Sequence, residues 1–273
     1  MLTSTGEIVA DAARAGGGVG AFNVITLEHA EAIVRGAAAA GRPAILQISQ
    51  NAVRYHGALA PIAAATLAVA RAAEVPVALH LDHATEPALV REAVSLGLGS
   101  VMFDASALEY EANVAATAAV VAECHGAGVW VEAELGEVGG KDGVHAPGAR
   151  TDPSEALAYV EATGVDALAV AVGSSHAMLT RDAALDFDLI AALRAALPVP
   201  LVLHGSSGVP DDGLRRAVER GIVKVNIGTQ LNKVFSAAVR EQLATNAVDP
   251  RKYLGAARTA VADEVARLLI LLR

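Results

Sequence analysis

Eight short apolar runs recur along the chain: GVGAFNV to Val24, PAILQIS to Ser49, VALHLD to Asp82, GSVMFDAS to Ser106, VWVEAEL to Leu135, DALAVAVG to Gly173, PLVLHG to Gly205 and IVKVNIG to Gly228. Near-continuous apolar runs of this length, rich in β-branched residues, read as strands covered on both faces. Between them lie longer segments with helical spacing, such as LEHAEAIVRGAAAAG and PIAAATLAVARAAE. Pro43, Pro76 and Pro200 stand at or just before strand starts, where a missing N–H is tolerated. Strand and helix alternate without a Gly/Ser linker. The pattern therefore predicts an α/β fold in which residues 1–273 form one (β/α)8 TIM barrel. A further apolar pattern runs from Thr259 into the terminal LLILLR and predicts an additional C-terminal helix, too short to span a bilayer. It reads as a packed helix or as part of a subunit contact.

Composition narrows the function classes. Hydrophobic residues make up 53% of the 273 and aromatics 3%, which suits close helix-on-strand packing more than a base-stacking platform. A formal charge of −9 speaks against nucleic acid or an anionic membrane as partner, while leaving room for a local site that holds a small phosphate. Cys124 is the single cysteine and forms no internal disulfide; it reads as a packed helix residue. No signal-peptide pattern opens the chain, so a cytoplasmic setting is expected.

The candidate chemistry lies where the strands end. Asn23, Ser49, Asp82 with His83, Asp104, Glu134, His176, His204 and Asn226 all fall there, and in a barrel those ends converge on one rim. One such histidine alone reads as a hydrogen-bonded core or loop residue. Three at one rim, His83, His176 and His204, match a catalytic zinc that takes three protein ligands and keeps an open position. His80 is expected to point into the barrel or support the site. Asp82 is the general acid/base candidate, or else a carboxylate that orients a histidine. Asp104 and Glu134 are candidates for a second cation or for plain salt bridges. Two loops, Gly205–Ser206–Ser207–Gly208 in HGSSGVPDDGL and Asn226 to Thr229 in NIGTQL, have the small residues of an anion cradle, or of ordinary helix caps. A Schiff-base enzyme on the same fold needs an inward lysine. Lys224 shares strand parity with Asn226 and faces inward, where an ion pair with Glu132 is its simpler role.

ALHLDH, VEAELGEVGG, LVLHGSSGVPD and KVNIGT, with AFNV near the start and DPRKYLGAAR near the end, resemble the class II, zinc-dependent fructose- and tagatose-bisphosphate aldolases over essentially the whole chain. The resemblance implies reversible cleavage of a ketose 1,6-bisphosphate to dihydroxyacetone phosphate and an aldehyde such as glyceraldehyde 3-phosphate. It implies Asp82 as proton donor to the aldehyde, His83, His176 and His204 as zinc ligands, and Asp104 and Glu134 at a second cation. Gly205, Ser206 and Ser207 with Asn226, Ile227, Gly228 and Thr229 hold dihydroxyacetone phosphate, Asn226 also bonding to the developing charge. Asn23 and Ser49 join them as substrate contacts. Arg258 in GAARTAV matches an arginine that binds the aldehyde partner's phosphate, and the assembly is a homodimer or homotetramer. The chain departs from the family at two places. Ala177 replaces the usual glycine after the second zinc histidine, with a backbone phosphate contact still expected there. The loop GGKDGVHAPG lacks the usual glutamate, so Asp142 stands as a shorter ketone-side base, or Lys141 or His145 has altered the partner. A different aldehyde partner, and a phosphosugar-binding barrel without catalysis, are the competing readings.

Overall fold

Strands β1 (Val19–Asn23), β2 (Ala44–Ser49), β3 (Val77–Ala84), β4 (Ser100–Phe103), β5 (Trp130–Glu134), β6 (Ala167–Ala169), β7 (Leu201–Leu203) and β8 (Ile222–Ile227) close in chain order into a barrel. Each neighbouring pair is parallel, including β1 with β8. The computed structural model describes residues 1–135, 150–176 and 178–273. Its helices are α1 (Thr5–Arg14), α2 (Leu27–Ala40), α3 (Gln50–His56), α4 (Leu59–Arg71), α5 (Pro87–Ser95), α6 (Tyr110–Gly126), α7 (Pro153–Thr163), α8 (Phe187–Ala196), α9 (Asp211–Arg220), α10 (Thr229–Leu243) and α11 (Pro250–Leu271). This is a (β/α)8 TIM barrel with an added C-terminal helix.

The eight expected strands all form, with shifted ends. β6 keeps only three residues of DALAVAVG; beyond it the Val170 N–H still reaches the Val202 carbonyl, and the Ala171 N–H bonds to the Thr151 hydroxyl instead of a strand. β3 instead continues past Asp82 to Ala84. The C-terminal helix begins earlier than its apolar pattern, at Pro250, where the Asp249 side chain caps the Arg251 N–H. It crosses α2 so closely that a Cβ on Gly36 would lie 2.4 Å from the Ala262 carbonyl oxygen, which explains a bare residue in that alanine-rich face. Cys124 is buried in α6, and burial pushes its thiol up to about 11.

The interior of the barrel is layered. Leu46, Ile48, Leu79, Leu81 and Leu203 face outward into the core shared with the helices. Inside, Val19, Ala21, Ile45, Ala78 and Val223 form an apolar floor with Ile8, Val9 and Ala12 of α1, a helix the strand pattern does not anticipate. The Ser4 side chain and Glu7 start that helix as a reciprocal capping box. Above the floor the lining becomes polar, with His80, Ser100, Glu132 and Lys224 buried in the barrel, and the strand ends open as a mouth. No described helix is long and apolar enough to cross a membrane.

Candidate active site

The mouth holds a cavity of about 380 Å³. Asn23, Ser49, Asp82, His83, Asp104, His176, Gly205, Ser206, Ser207, Asn226, Gly228 and Thr229 all line it. Gln47, Arg54 and Asn232 line it too and were not anticipated. Gln47 has the parity of Ser49 one step deeper, where its amide donates to Asn23 at 2.6 Å. Arg54 and Asn232 sit on α3 and α10, beyond the strand ends. Ile227 packs its side chain outward into the core. Arg258 lies on α11, paired with Glu31 of α2, and is not brought into the cavity. Ala177 and Asp142 lie outside the described residues.

Asp82 and His83 are adjacent, so strict alternation sends them to opposite faces of the sheet. The β3–β4 ladder shifts register between Leu81 and Ala84, and His83 has a φ of 50°. That bulge turns both side chains into the mouth. A left-handed conformation at a residue with a Cβ costs about 1–2 kcal/mol, and such strain clusters where function needs it.

The rings of His83, His176 and His204 face one point. Their centroids are 4.7 to 5.7 Å apart with interplanar angles of 73° to 85°. One nitrogen from each lies within 4.8 Å of the others. Imidazole nitrogens in a mutually perpendicular set suit a borderline cation such as zinc, so this donor set fits the metal the sequence suggests. His83 Nδ1 bonds Asp104 Oδ2 at 3.0 Å, which directs its Nε2 at the common point. Asp104 is itself held by the Ser106 hydroxyl at 2.6 Å. His83, Asp104 and Glu134 form a second cluster with ligand atoms within 4.8 Å, immediately beside the first.

Beneath the rings runs a buried polar chain. Lys224 Nζ lies 2.8 Å from Glu132 Oε2, and His204 Nε2 lies 2.9 Å from Glu132 Oε1. Lys224 also donates to Asn226 Oδ1 at 2.6 Å, and Asn226 Nδ2 donates to Asp82 Oδ1 at 3.1 Å. An ammonium has no lone pair to offer, so the Asn226 oxygen must face Lys224 and its NH₂ must face Asp82. The lysine that a Schiff-base route requires is thus spent in an ion pair, as its parity suggested. His80 bonds Ser100 at 2.9 Å, and burial, followed by the Lys224 charge, holds its pKa well below the ordinary value. It stays neutral and leaves Lys224 to balance Glu132.

The two glycine loops border the same cavity. Gly205 has a φ of 67°, and a Cβ there would lie 2.6 Å from the Ser175 carbonyl carbon, so only glycine fits directly after His204. Ser206–Gly208 then forms a short 3₁₀ turn. α9 starts only at Asp211, whose carboxylate pairs with Arg181 at 2.6 Å, so this loop does not pass straight into a helix. The buried Ser207 hydroxyl has no hydrogen-bond partner among the described residues. After β8 the chain does enter a helix at once, and Gly228 and Thr229 at the start of α10 line the cavity with their backbone N–H groups unclaimed by the helix ladder.

A family model described as fructose-bisphosphate aldolase class-II matches residues 3–273. A protein of Bacillus subtilis (strain 168), named "Probable fructose-bisphosphate aldolase", is 41% identical over 271 residues, covering 97% of this chain and 95% of its own. The crystal structure of the YdjI aldolase from Escherichia coli K12 superposes with a TM-score of 0.87 at 31% identity, covering all of this chain and 97% of that one. Fructose-bisphosphate aldolase from Campylobacter jejuni, at 22% identity and a TM-score of 0.82, shares the fold, covering 99% of this chain and 95% of its own. With a whole-length family match and a relative this similar, the chain belongs to the class II fructose-bisphosphate aldolases and is an aldolase-type lyase.

Proposed function

We propose that this enzyme cleaves, reversibly, a ketose 1,6-bisphosphate of fructose or tagatose type into dihydroxyacetone phosphate and an aldehyde, with zinc held by His83, His176 and His204. The observation that carries this reading is one cavity lined by His83 and His176, on which the buried His204 converges, together with the preset Asp82–Asn226 pair and two small-residue loops. Bound zinc supplies Lewis-acid polarisation of the ketone oxygen.

The remaining work belongs to the protein. Ser207 and Thr229 present hydroxyl donors, and Ser206 and Gly228 backbone donors, to the ketose phosphate at the end of the cavity where α10 begins, the Ser206 hydroxyl being held by the Asn226 carbonyl. Asp82 is the group that carries the proton to and from the aldehyde oxygen, and the Asn226 amide holds its Oδ1 in place. The same NH₂ is aimed at the mouth, where it stabilises negative charge left on the substrate when the carbon–carbon bond breaks. Asp104 fixes the ring of His83, and with Glu134 it forms the place for a second cation. A buried thiol with no disulfide partner agrees with a reducing cytoplasm.

Deuterium exchange into dihydroxyacetone phosphate and cleavage of the two bisphosphates, each followed on chelated and zinc-reloaded protein, test the proposal together. Both activities should vanish on chelation and return with zinc. Exchange or cleavage that survives complete metal removal overturns it, and the configuration of the cleaved sugar decides between fructose and tagatose.

A further inference from the structure

We propose that the buried Glu132–Lys224 pair sets which nitrogen of His204 carries the proton, and so which nitrogen meets the metal. The inference rests on the reading of His204 as a zinc ligand. Glu132 is fully buried and its two oxygens are divided, Oε2 at 2.8 Å from Lys224 and Oε1 at 2.9 Å from His204 Nε2. A carboxylate only accepts, so a neutral His204 must carry its proton on Nε2, leaving the Nδ1 lone pair for the ion. Asn226 Nδ2, 3.1 Å from the same Nε2, is then a neighbour rather than a donor to it. One of its hydrogens serves Asp82 instead.

Lys224 gives the device its logic. Because it is a donor alone, it dictates how any group at position 132 is oriented. Replace the carboxylate by its amide, and the carbonyl oxygen must turn toward Lys224. The amide NH₂ then faces His204 Nε2, which has to accept. The imidazole proton moves to Nδ1, where Glu134 Oε2 at 3.5 Å can receive it, and the metal-facing lone pair is gone. One ammonium therefore orients both Asn226 toward Asp82 and, through Glu132, His204 toward the metal. Glu132 and Lys224 are positioning residues for the two halves of the site.

Histidine-selective ¹⁵N NMR on metal-free protein reads the tautomer directly, and a zinc titration reads its consequence. The parent should show the Nε2–H form at His204. Glu132→Gln should show the Nδ1–H form and bind zinc about 10- to 100-fold more weakly, the usual effect of losing an outer partner of a ligand. The double variant Glu132→Gln with Lys224→Met frees the amide to present its oxygen to Nε2. It should recover the Nε2–H form and most of the zinc affinity, while turnover stays low because Asn226 has lost its anchor. A merely structural role predicts further loss in the double variant, not recovery. An Nδ1–H parent, an unchanged tautomer in Glu132→Gln, or no recovery in the double variant each overturn the inference. The parent measurement does so even if the single variant fails to fold. Failure of the parent to bind zinc with the tautomers as expected would instead break the functional reading and spare the tautomer rule.

Discussion

Leu79 and Leu81 on the outer face of β3, and His80 and Asp82 on its inner face, are neighbours in sequence, are about equally buried, and are held by different physics. The outer pair joins a continuous apolar core against the helices, where area removed from water sets the energy and shape tolerates exchange. The inner pair belongs to layers in which each polar atom depends on the orientation of the next. Burial alone therefore does not tell fold residues from reaction residues in this barrel; the direction of the side chain does. Two faces of one strand divide the labour.

The sharpest way to break this division is at Asp82. Asp82→Ala should lower turnover about 10²- to 10⁴-fold, the usual weight of a positioned acid or base, while zinc content and melting temperature stay close to the parent's. Normal turnover, or loss of zinc along with activity, would show the inner face to be organised differently. On the outer face, Leu46→Ala should do the opposite. Leu46 is fully buried beside the inward Gln47, and its truncation should cost about 2–5 kcal/mol in denaturant unfolding with kcat per folded molecule unchanged. A stable but slow variant would refute the separation.

A smaller effect sharpens it. His29, on α2, is buried in the outer shell and stacks on Phe235 at 4.7 Å, with its Nδ1 serving the Thr26 cap. Burial lowers its pKa to about 4 from 6.5, against the weaker opposing pull of Glu28. Between those values the unfolded chain holds the extra proton, so stability falls as pH drops through the window and is recovered as pH rises. At pH 5 the penalty is roughly 2 kcal/mol relative to neutral pH. Urea unfolding at pH 7 and pH 5 should show that His29→Gln flattens this slope; an equal slope in parent and variant would mean that the histidine is not buried neutral.

How much of this was legible follows from the same two faces. The outer faces are apolar throughout and the helices cover them, so the eight runs stood out and their closure into a barrel followed. The rim residues stood out because each interrupts such a run. Parity along β8 was enough to turn Lys224 inward toward Glu132, where the structure has it. The floor helix α1 was missed although Ser4 and Glu7 carry a capping-box spacing, because its apolar positions are few and precede the first strand. Arg54 and Asn232 were missed because helices deliver them. Asp82 and His83 were both placed at the rim by the end of their run; the bulge that turns the two adjacent side chains into one mouth was not legible, since alternation carries no sign of it.

That bulge has an evolutionary corollary. In most of the molecule a residue added or lost between elements changes only the length of a surface turn, which barrels absorb readily. Between Leu81 and Ala84 a single deletion would restore regular pleating, and the period of two would then throw either the acid or the imidazole outward among the helices. The barrel would still close. Length changes among relatives should therefore scatter freely through the loops and be barred from this one stretch, where counting residues amounts to counting functions.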